Sequence, residues 1–91
     1  MNTLIITYDL NRPGQNYSDL YKKIKSLGDW KHPLESTWIV KTTMTDVQVR
    51  DSLKSAIDNN DKLLIVDRRG NLAWSGIDAE FSNWLKSKER V

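Results

Sequence analysis

The chain has 91 residues, with 14 basic and 12 acidic side chains, one histidine and no cysteine. A chain of this length buries one hydrophobic core, so we expect a single domain over residues 1–91, without disulfides, a thiolate nucleophile or a cysteine-based zinc site. The net charge of +2 permits a polyanionic partner but does not by itself indicate one. Its apolar runs are too short to cross a bilayer and its N-terminus lacks the pattern of a signal peptide, so we expect a cytoplasmic protein with no membrane partner.

The first third of the chain predicts a strand, a loop and a helix. Residues 3–10, TLIITYDL, alternate between two faces as the side chains of a strand do. A Pro-Gly loop follows over residues 11–16. Apolar residues then recur at helical spacing from Tyr17 to Leu27, and Gly28 is placed to end that helix.

The middle of the chain predicts two strands and a second helix. Because Pro33 cannot donate a hydrogen bond to a ladder, we expect a short edge piece over residues 30–32 and a longer strand over residues 35–42. Thr45, with Gln48 three residues later, has the capping-box pattern that begins a helix. The second helix is therefore expected to start at Thr45.

The last third predicts one buried strand, a short extra strand and a final helix. The segment KLLIVDR, residues 62–68, is nearly all apolar in its centre, as in a strand that is covered on both faces. A tight turn then leads into a short strand over residues 72–74, and the final helix is expected over residues 78–86.

This order of elements, β-α-β-β-α-β with a C-terminal addition, predicts an α+β fold of the ferredoxin-like type. In that fold an antiparallel sheet carries both main helices on one face. A chain this small has no further layer for the other face, so we expect a homodimer that packs sheet face to sheet face. The apolar residues expected on that face are Ile5 and Ile39, with either Leu63 and Ile65 or Leu64 and Val66.

Three short motifs carry a resemblance to a known family. The first strand ends in Tyr8-Asp9-Leu10, the first helix ends at Gly28, and a later strand opens with Glu35-Ser36-Thr37-Trp38. In these motifs, over about residues 3–68, the chain resembles the small CRISPR-associated adaptation protein, the partner of the CRISPR integrase. The same fold family includes the virulence-associated protein D type ribonucleases and some toxin–antitoxin components. The resemblance implies a role in antiviral defence, with an integrase-like or a toxin-like protein as a candidate partner.

Asp9 is the candidate catalytic and metal-binding residue. It ends the first predicted strand beside the Pro-Gly loop, on the face assigned to the dimer. Two Asp9 carboxylates at a twofold axis could share Mg²⁺ or Mn²⁺ and activate water for phosphodiester cleavage, and the resemblance implies the same role. The structural alternative is that Asp9 only ends the strand and accepts N–H bonds from the loop.

His32 has a suitable unperturbed pKa for a general base, but a histidine before a proline is more often a surface residue.

Basic and aromatic residues supply the candidates for nucleic-acid contact. We expect a phosphate-binding rim of Arg12, Lys31, Arg68 and Arg69, whereas the lysines of the first helix are ordinary solvent-facing residues. Trp30 and Trp74 lie near turns and could stack on bases, while Trp38 and Trp84 are expected in the core or an interface.

Two functional hypotheses follow. In the first, a homodimer acts on RNA or DNA, either as a metal-dependent endonuclease that uses Asp9 or as a non-catalytic binding subunit. In the second, the same dimer is a non-enzymatic protein–protein adaptor or an antitoxin component. The sequence leaves the choice between RNA and DNA open.

Overall fold

The computed structural model describes residues 1–11 and 17–87, with the side chains of that part as far as Leu85. These residues form a small, compact α+β structure with a four-stranded antiparallel sheet. Within the described ranges, no helix is long and apolar enough to cross a membrane. The elements are β1 Asn2–Asp9, α1 Ser18–Ser26, β2 Asp29–Leu34, β3 Thr37–Thr42, α2 Asp46–Lys54, β4 Lys62–Asp67 and α3 Ala79–Ser87.

The strands lie in the order β2-β3-β1-β4, and every neighbouring pair is antiparallel. β1 is central, because Ile5 lies opposite Ile39 of β3 on one side and opposite Val66 of β4 on the other. β2 and β4 are the two edge strands. The chain therefore crosses the sheet between β1 and β2 and again between β3 and β4, and α1 and α2 make these crossings.

Both crossing helices bury an apolar stripe against the same face of the sheet. Leu20 and Ile24 of α1 and Val49 and Leu53 of α2 are fully buried, and they share one core with Leu4, Ile6 and Val40 of the central strands. The predicted boundaries of α1 agree with the structure within one residue at each end.

The start of α2 confirms the predicted capping box. The Thr45 hydroxyl accepts from the Gln48 N–H at 3.1 Å, and the Gln48 side chain accepts from the Thr45 N–H at 2.9 Å. These two bonds satisfy N–H groups that a helix start would otherwise leave without partners.

The strand division around Pro33 differs from the expected one. β2 continues through Pro33 to Leu34, and the chain reverses at residues 35–36. Pro33 is tolerated because β2 is an edge strand, where a missing N–H can face away from the ladder. The pairing with β3 shifts between Lys31 and Leu34, which accommodates the irregularity.

The extra strand predicted over residues 72–74 is wrong, because this stretch has no strand pairing. Side-chain contacts hold it instead. The Trp74 indole N–H donates to the Ser82 hydroxyl at 2.9 Å, and its ring meets the Phe81 ring edge-on, with the two planes at 86°. Alternation of apolar residues over three positions therefore reflects packing against α3 and not a strand.

α3 covers part of the sheet face that α1 and α2 leave open, which we call the outer face. Phe81 and Leu85 of α3 are buried with Ile39 of β3, and Ile5 packs against the same cluster. The expectation that Ile5 and Ile39 would lie uncovered is therefore wrong. The chain supplies the missing layer itself, because its final helix folds back over β3 and β1.

The outer face remains open over β4. Leu63 and Ile65 pack against the α1–α2 core, so Leu64 and Val66 point to the outer face. Leu64 is 58% exposed and Val66 is 40% exposed. Of the two alternatives that the sequence left open, Leu64 and Val66 are thus the pair away from the helices.

Polar contacts at Lys41 and its neighbours attach α3 to the sheet. Lys41 lies on the outer face of β3 and is 2% exposed, since its stem is covered by α3. Its Nζ donates to the Trp84 carbonyl at 2.5 Å and lies 4.6 Å from the centre of the Trp84 ring. The Trp84 indole N–H in turn donates to Asp29 of β2 at 2.8 Å.

A close backbone approach explains the glycine after α1. A Cβ built at Gly28 would lie 2.2 Å from the carbonyl oxygen of Lys41, so no side chain fits without a backbone shift.

Gly28→Ala should lower the free energy of unfolding by about 1–3 kcal/mol or more, because relieving the overlap moves α1 away from β3. Gly70→Ala is the matched control, since a Cβ there meets nothing within 4 Å and should change stability by less than about 1 kcal/mol. Urea unfolding of both variants measures the difference; equal stabilities would contradict the close approach.

Candidate functional site

Three chain segments meet at one end of the sheet around Asp9. β1 ends there, the turn between β2 and β3 lies beside it, and β4 begins there. The Tyr8 N–H donates to the Ser36 carbonyl at 3.2 Å, and Asp9 lies directly opposite Lys62. We call this the Asp9 end of the sheet. The candidate site is built on strand termini, which a rigid sheet holds in position.

Asp9 is exposed and lies on the outer face, two residues along from Thr7. A shallow pocket beside it is lined in part by Thr7, Asp9, Lys62 and Leu64. The Thr7 hydroxyl is hydrogen-bonded to the Thr37 hydroxyl at 3.2 Å, so these strand hydroxyls satisfy each other. The carboxylate of Asp9 therefore stands at the open half of the outer face.

The structural alternative for Asp9 was that it accepts N–H bonds from the loop that follows. Residues 12–16 of that loop lie outside the described residues. The N–H of Asn11, which is described, donates to Asp61 at 2.8 Å and not to Asp9. In the described part of the loop, Asp61 thus performs the role that the alternative gave to Asp9.

Asp61 is a site residue that the sequence did not single out. The residue is 9% exposed, and its carboxylate accepts hydrogen bonds from the Asn11 N–H, from the Tyr17 hydroxyl at 3.1 Å and from the Asp58 N–H at 2.9 Å. Bonds to a charged acceptor are among the stronger ones in proteins. Asp61 therefore joins the segment after β1, the start of α1 and the turn before β4.

An aromatic cluster occupies the helix side of the same end. Trp38 is 2% exposed, and its indole N–H donates to the Tyr8 hydroxyl at 3.0 Å. The His32 ring lies flat on the Trp38 ring, 3.8 Å away and inclined by 11°. Trp30 and Tyr21 contact Trp38 at 5.2 and 6.0 Å between ring centres.

The histidine in this cluster is exposed, but its ring has a hydrogen-bond partner. His32 Nε2 lies 2.9 Å from the Glu35 carbonyl oxygen, and only the ring N–H can donate in that bond. The sequence left two roles open for His32, a surface histidine or a general base. In the structure it is a surface histidine with one ring face covered by Trp38.

Burial affects the ionisation of one residue next to Asp9. Desolvation raises the pKa of the Tyr8 phenol above its ordinary value, and the hydrogen bond from Trp38 opposes that rise. The phenol therefore stays neutral at physiological pH, and its oxygen can accept the Trp38 bond. Tyr8 acts here as a packing residue of the aromatic cluster, on the helix side of the sheet.

The structure describes three of the predicted phosphate-binding residues, and it does not bring Lys31 together with Arg68 and Arg69 within one chain. Lys31 pairs with Glu80 of α3 at 3.0 Å, and Arg69 pairs with Asp67 at 2.9 Å. The Arg68 N–H donates to the Thr3 carbonyl at 2.9 Å, at the far end of β1. Since Thr3 and Asp9 are six positions apart along β1, the two ends are about 20 Å apart. Arg12 lies outside the described residues.

The ion pair with Asp67 also affects the pKa of Arg69. The hydrogen bond and the charge of Asp67 raise the pKa of the Arg69 guanidinium further above its ordinary value. The pair is exposed on the arginine side, so solvent screens it and it contributes little to stability. A phosphate could therefore compete with Asp67 for this guanidinium at small cost.

The two tryptophans suggested as base stackers occupy different surroundings. Trp30 is half-buried in the aromatic cluster, and the Lys25 ammonium lies 5.1 Å from the centre of its ring. Trp74 is half-buried against α3 at the outer face. Only Trp30 lies near the Asp9 end, through its contact with Trp38.

Within residues 1–11 and 17–87, no group of three acidic or histidine side chains is arranged to hold a metal ion. Asp9 supplies one carboxylate, and Lys62 is the residue opposite it. A divalent ion at Asp9 would thus need further ligands from a second chain or from a bound phosphate.

A comparison with known protein families leaves the chain unassigned. No family model matches it. The resemblance to the small CRISPR-associated adaptation proteins therefore depends on the motifs around Asp9, Gly28 and Ser36 and on the order of the elements.

Proposed function

We propose that the protein is a homodimer of ferredoxin-like subunits that acts on nucleic acid, and that Asp9 is its catalytic residue. The strand order β2-β3-β1-β4, with two helices on one face, supports the ferredoxin-like assignment. The motif resemblance supports a relationship to the small CRISPR-associated adaptation proteins. RNA and DNA both remain candidate substrates.

One observation carries this proposal: Asp9 lies on the same open part of the outer face as the exposed apolar residues of β4. Leu64 and Val66 are exposed there, and Leu64 and Asp9 line one shallow pocket. Burying aliphatic side chains stabilises association. A twofold axis through this half of the face covers Leu64 and Val66 and brings two Asp9 carboxylates towards each other.

In such a dimer, the donor chemistry of Asp9 suits Mg²⁺ or Mn²⁺. Proteins commonly hold Mg²⁺ with one or two carboxylates, several waters and the phosphates of the substrate. The two Asp9 residues would hold the ion, which would polarise a phosphoryl oxygen and lower the pKa of a bound water. Lys62, opposite Asp9, is available to offset the negative charge of a phosphate.

The basic residues proposed for phosphate contact are Arg12, Lys31, Arg68 and Arg69. The carboxylate partner of Lys31 is exposed, and Arg69 is itself exposed, so solvent screens both pairs and a phosphate can replace either partner. Lys31 lies on β2 and Arg68 and Arg69 follow β4, at opposite edges of the sheet, so the proposal assigns these residues to a long or bent nucleic acid that extends beyond Asp9.

A second candidate function is that of a non-enzymatic adaptor or antitoxin component. The exposed Leu64 and Val66 favour it, since they would equally suit an integrase-like or toxin-like protein partner. In that case Asp9 has no role in chemistry, and the open half of the outer face is the partner's binding surface.

The dimer itself is tested first. Light scattering at micromolar concentration should give about twice the mass of the 10.6 kDa chain. Leu64→Asp should shift the protein to the monomer, because it places a charge in the centre of the proposed interface. Val47→Asp is the control, since Val47 is 50% exposed on α2, away from the outer face, and should leave the dimer unchanged. A monomeric wild type would remove both the dimer and the paired Asp9 site.

The role of Asp9 is tested by Asp9→Asn. Two carboxylates held close together repel each other, so the variant should leave the metal-free dimer as stable as the wild type or more stable. It should abolish cleavage of RNA or DNA in Mg²⁺ or Mn²⁺. Asp51→Asn, on the exposed side of α2, is the control and should cleave like the wild type.

Thermal melts in EDTA and in added metal separate this role from a structural one. If Asp9 only supported the local backbone, Asp9→Asn would lower stability by about 1–3 kcal/mol with or without metal. That result, with a wild type that neither cleaves nor responds to metal, would contradict the nuclease and favour the adaptor.

A further inference from the structure

The aromatic cluster at the Asp9 end terminates in an exposed ring. Tyr21, Trp38 and His32 are stacked in sequence, with ring-centre distances of 6.0 and 3.8 Å. Trp38 is buried beneath His32, so the exposure of His32 lies on the ring face away from Trp38 and on the ring edges. The hydrogen bond to the Glu35 carbonyl restricts rotation of the ring. A flat, oriented π-surface therefore faces outward.

This surface lies at the same end of the sheet as Asp9. The pairing of β1 with β3 places Asp9 level with the β2–β3 turn, where Glu35 and Ser36 lie. His32 is bonded to Glu35 of that turn and belongs to β2, two strands from β1. His32 stacks on Trp38, which lies opposite Ile6 on the helix side of the sheet, whereas the Asp9 carboxylate lies on the outer face, so the two residues share one end of the sheet but not one face. A single strand of nucleic acid that passes round this end of the sheet can contact both residues.

The ligand chemistry that matches an exposed stacked ring is a nucleobase. Bases that are not in a duplex offer a free π-face, and proteins bind them by stacking them on aromatic side chains, histidine included. Lys25, which lies over Trp30 in the same cluster, adds a positive charge next to this surface. A paired base in a duplex has both faces covered and could not reach the ring without being unstacked.

We propose that His32, supported by Trp38, is a base-stacking subsite for an unpaired nucleotide at the Asp9 end of the sheet. This inference rests on the proposed action on nucleic acid, and it specifies the form of the substrate: a single-stranded segment, loop or end. It does not depend on metal or on cleavage, because stacking needs only the ring and its support.

The test measures binding of a fluorescein-labelled single-stranded oligonucleotide, as RNA and as DNA, by anisotropy in EDTA. The wild type should bind the single strand more tightly than a blunt duplex of the same sequence. His32→Ala should weaken binding of the single strand by about 5-fold to 100-fold, as expected for the loss of one stacked base. His32→Phe is the matched variant, since it keeps a flat ring and removes the ring nitrogens, and it should stay within about threefold of the wild type.

Thermal melts of the same proteins separate binding from folding. If His32 only covered Trp38, His32→Ala would lower the melting temperature and leave the affinity unchanged, which would overturn the proposal. Equal losses of affinity in His32→Ala and His32→Phe would overturn stacking as the mechanism, as would tighter binding of the duplex. Loss of cleavage in Asp9→Asn is scored separately, so a nuclease that ignores His32 and a stacking site without cleavage are distinguishable outcomes.

Discussion

The four-stranded sheet of this protein has apolar residues on both faces, and the short chain has few elements with which to cover them. α1 and α2 together bury one face with fully enclosed residues such as Leu20 and Leu53. The other face depends on the single helix α3, which buries Ile39 and packs against Ile5. One helix is about 10 Å wide, so it cannot span all four strands. The exposure of Leu64 and Val66, and the open position of Asp9 beside them, both follow from this unequal coverage.

The parts of the fold that were predicted from the sequence are those determined by local patterns. The alternation in β1, the helical spacing of α1 and the Thr45–Gln48 capping box each depend on residues a few positions apart, and the structure agrees with them. The false strand at residues 72–74 shows the limit of this reasoning. Its apolar residues are ordered by Phe81 and Ser82, which belong to a helix whose position no local pattern predicts.

The candidate site, like the fold, was predicted only where it depends on local sequence. Asp9 was predicted at a strand end and lies there, but Asp61 was not singled out, because its bonds to Asn11 and Tyr17 join residues more than forty positions apart. His32 was expected at the surface, and only the structure shows that its ring lies on Trp38, since the β2–β3 hairpin brings the two side chains together. The outer-face contacts of Lys41 and Trp84 likewise arise only once α3 is folded.

The two edge strands differ in the free backbone hydrogen-bonding groups that an additional strand could pair with. β2 contains Pro33 and a shifted register, so its free side lacks a donor and is irregular. β4 has neither feature, and the bond from Arg68 to Thr3 fixes the alternation of its ladder. In that alternation the peptide groups of Leu63, Ile65 and Asp67 point away from β1, while the even-numbered residues bond to it. An added strand can therefore pair with β4 but not with β2. Whether it came from a native partner or from an aggregate, it would form its hydrogen bonds with those three peptide groups.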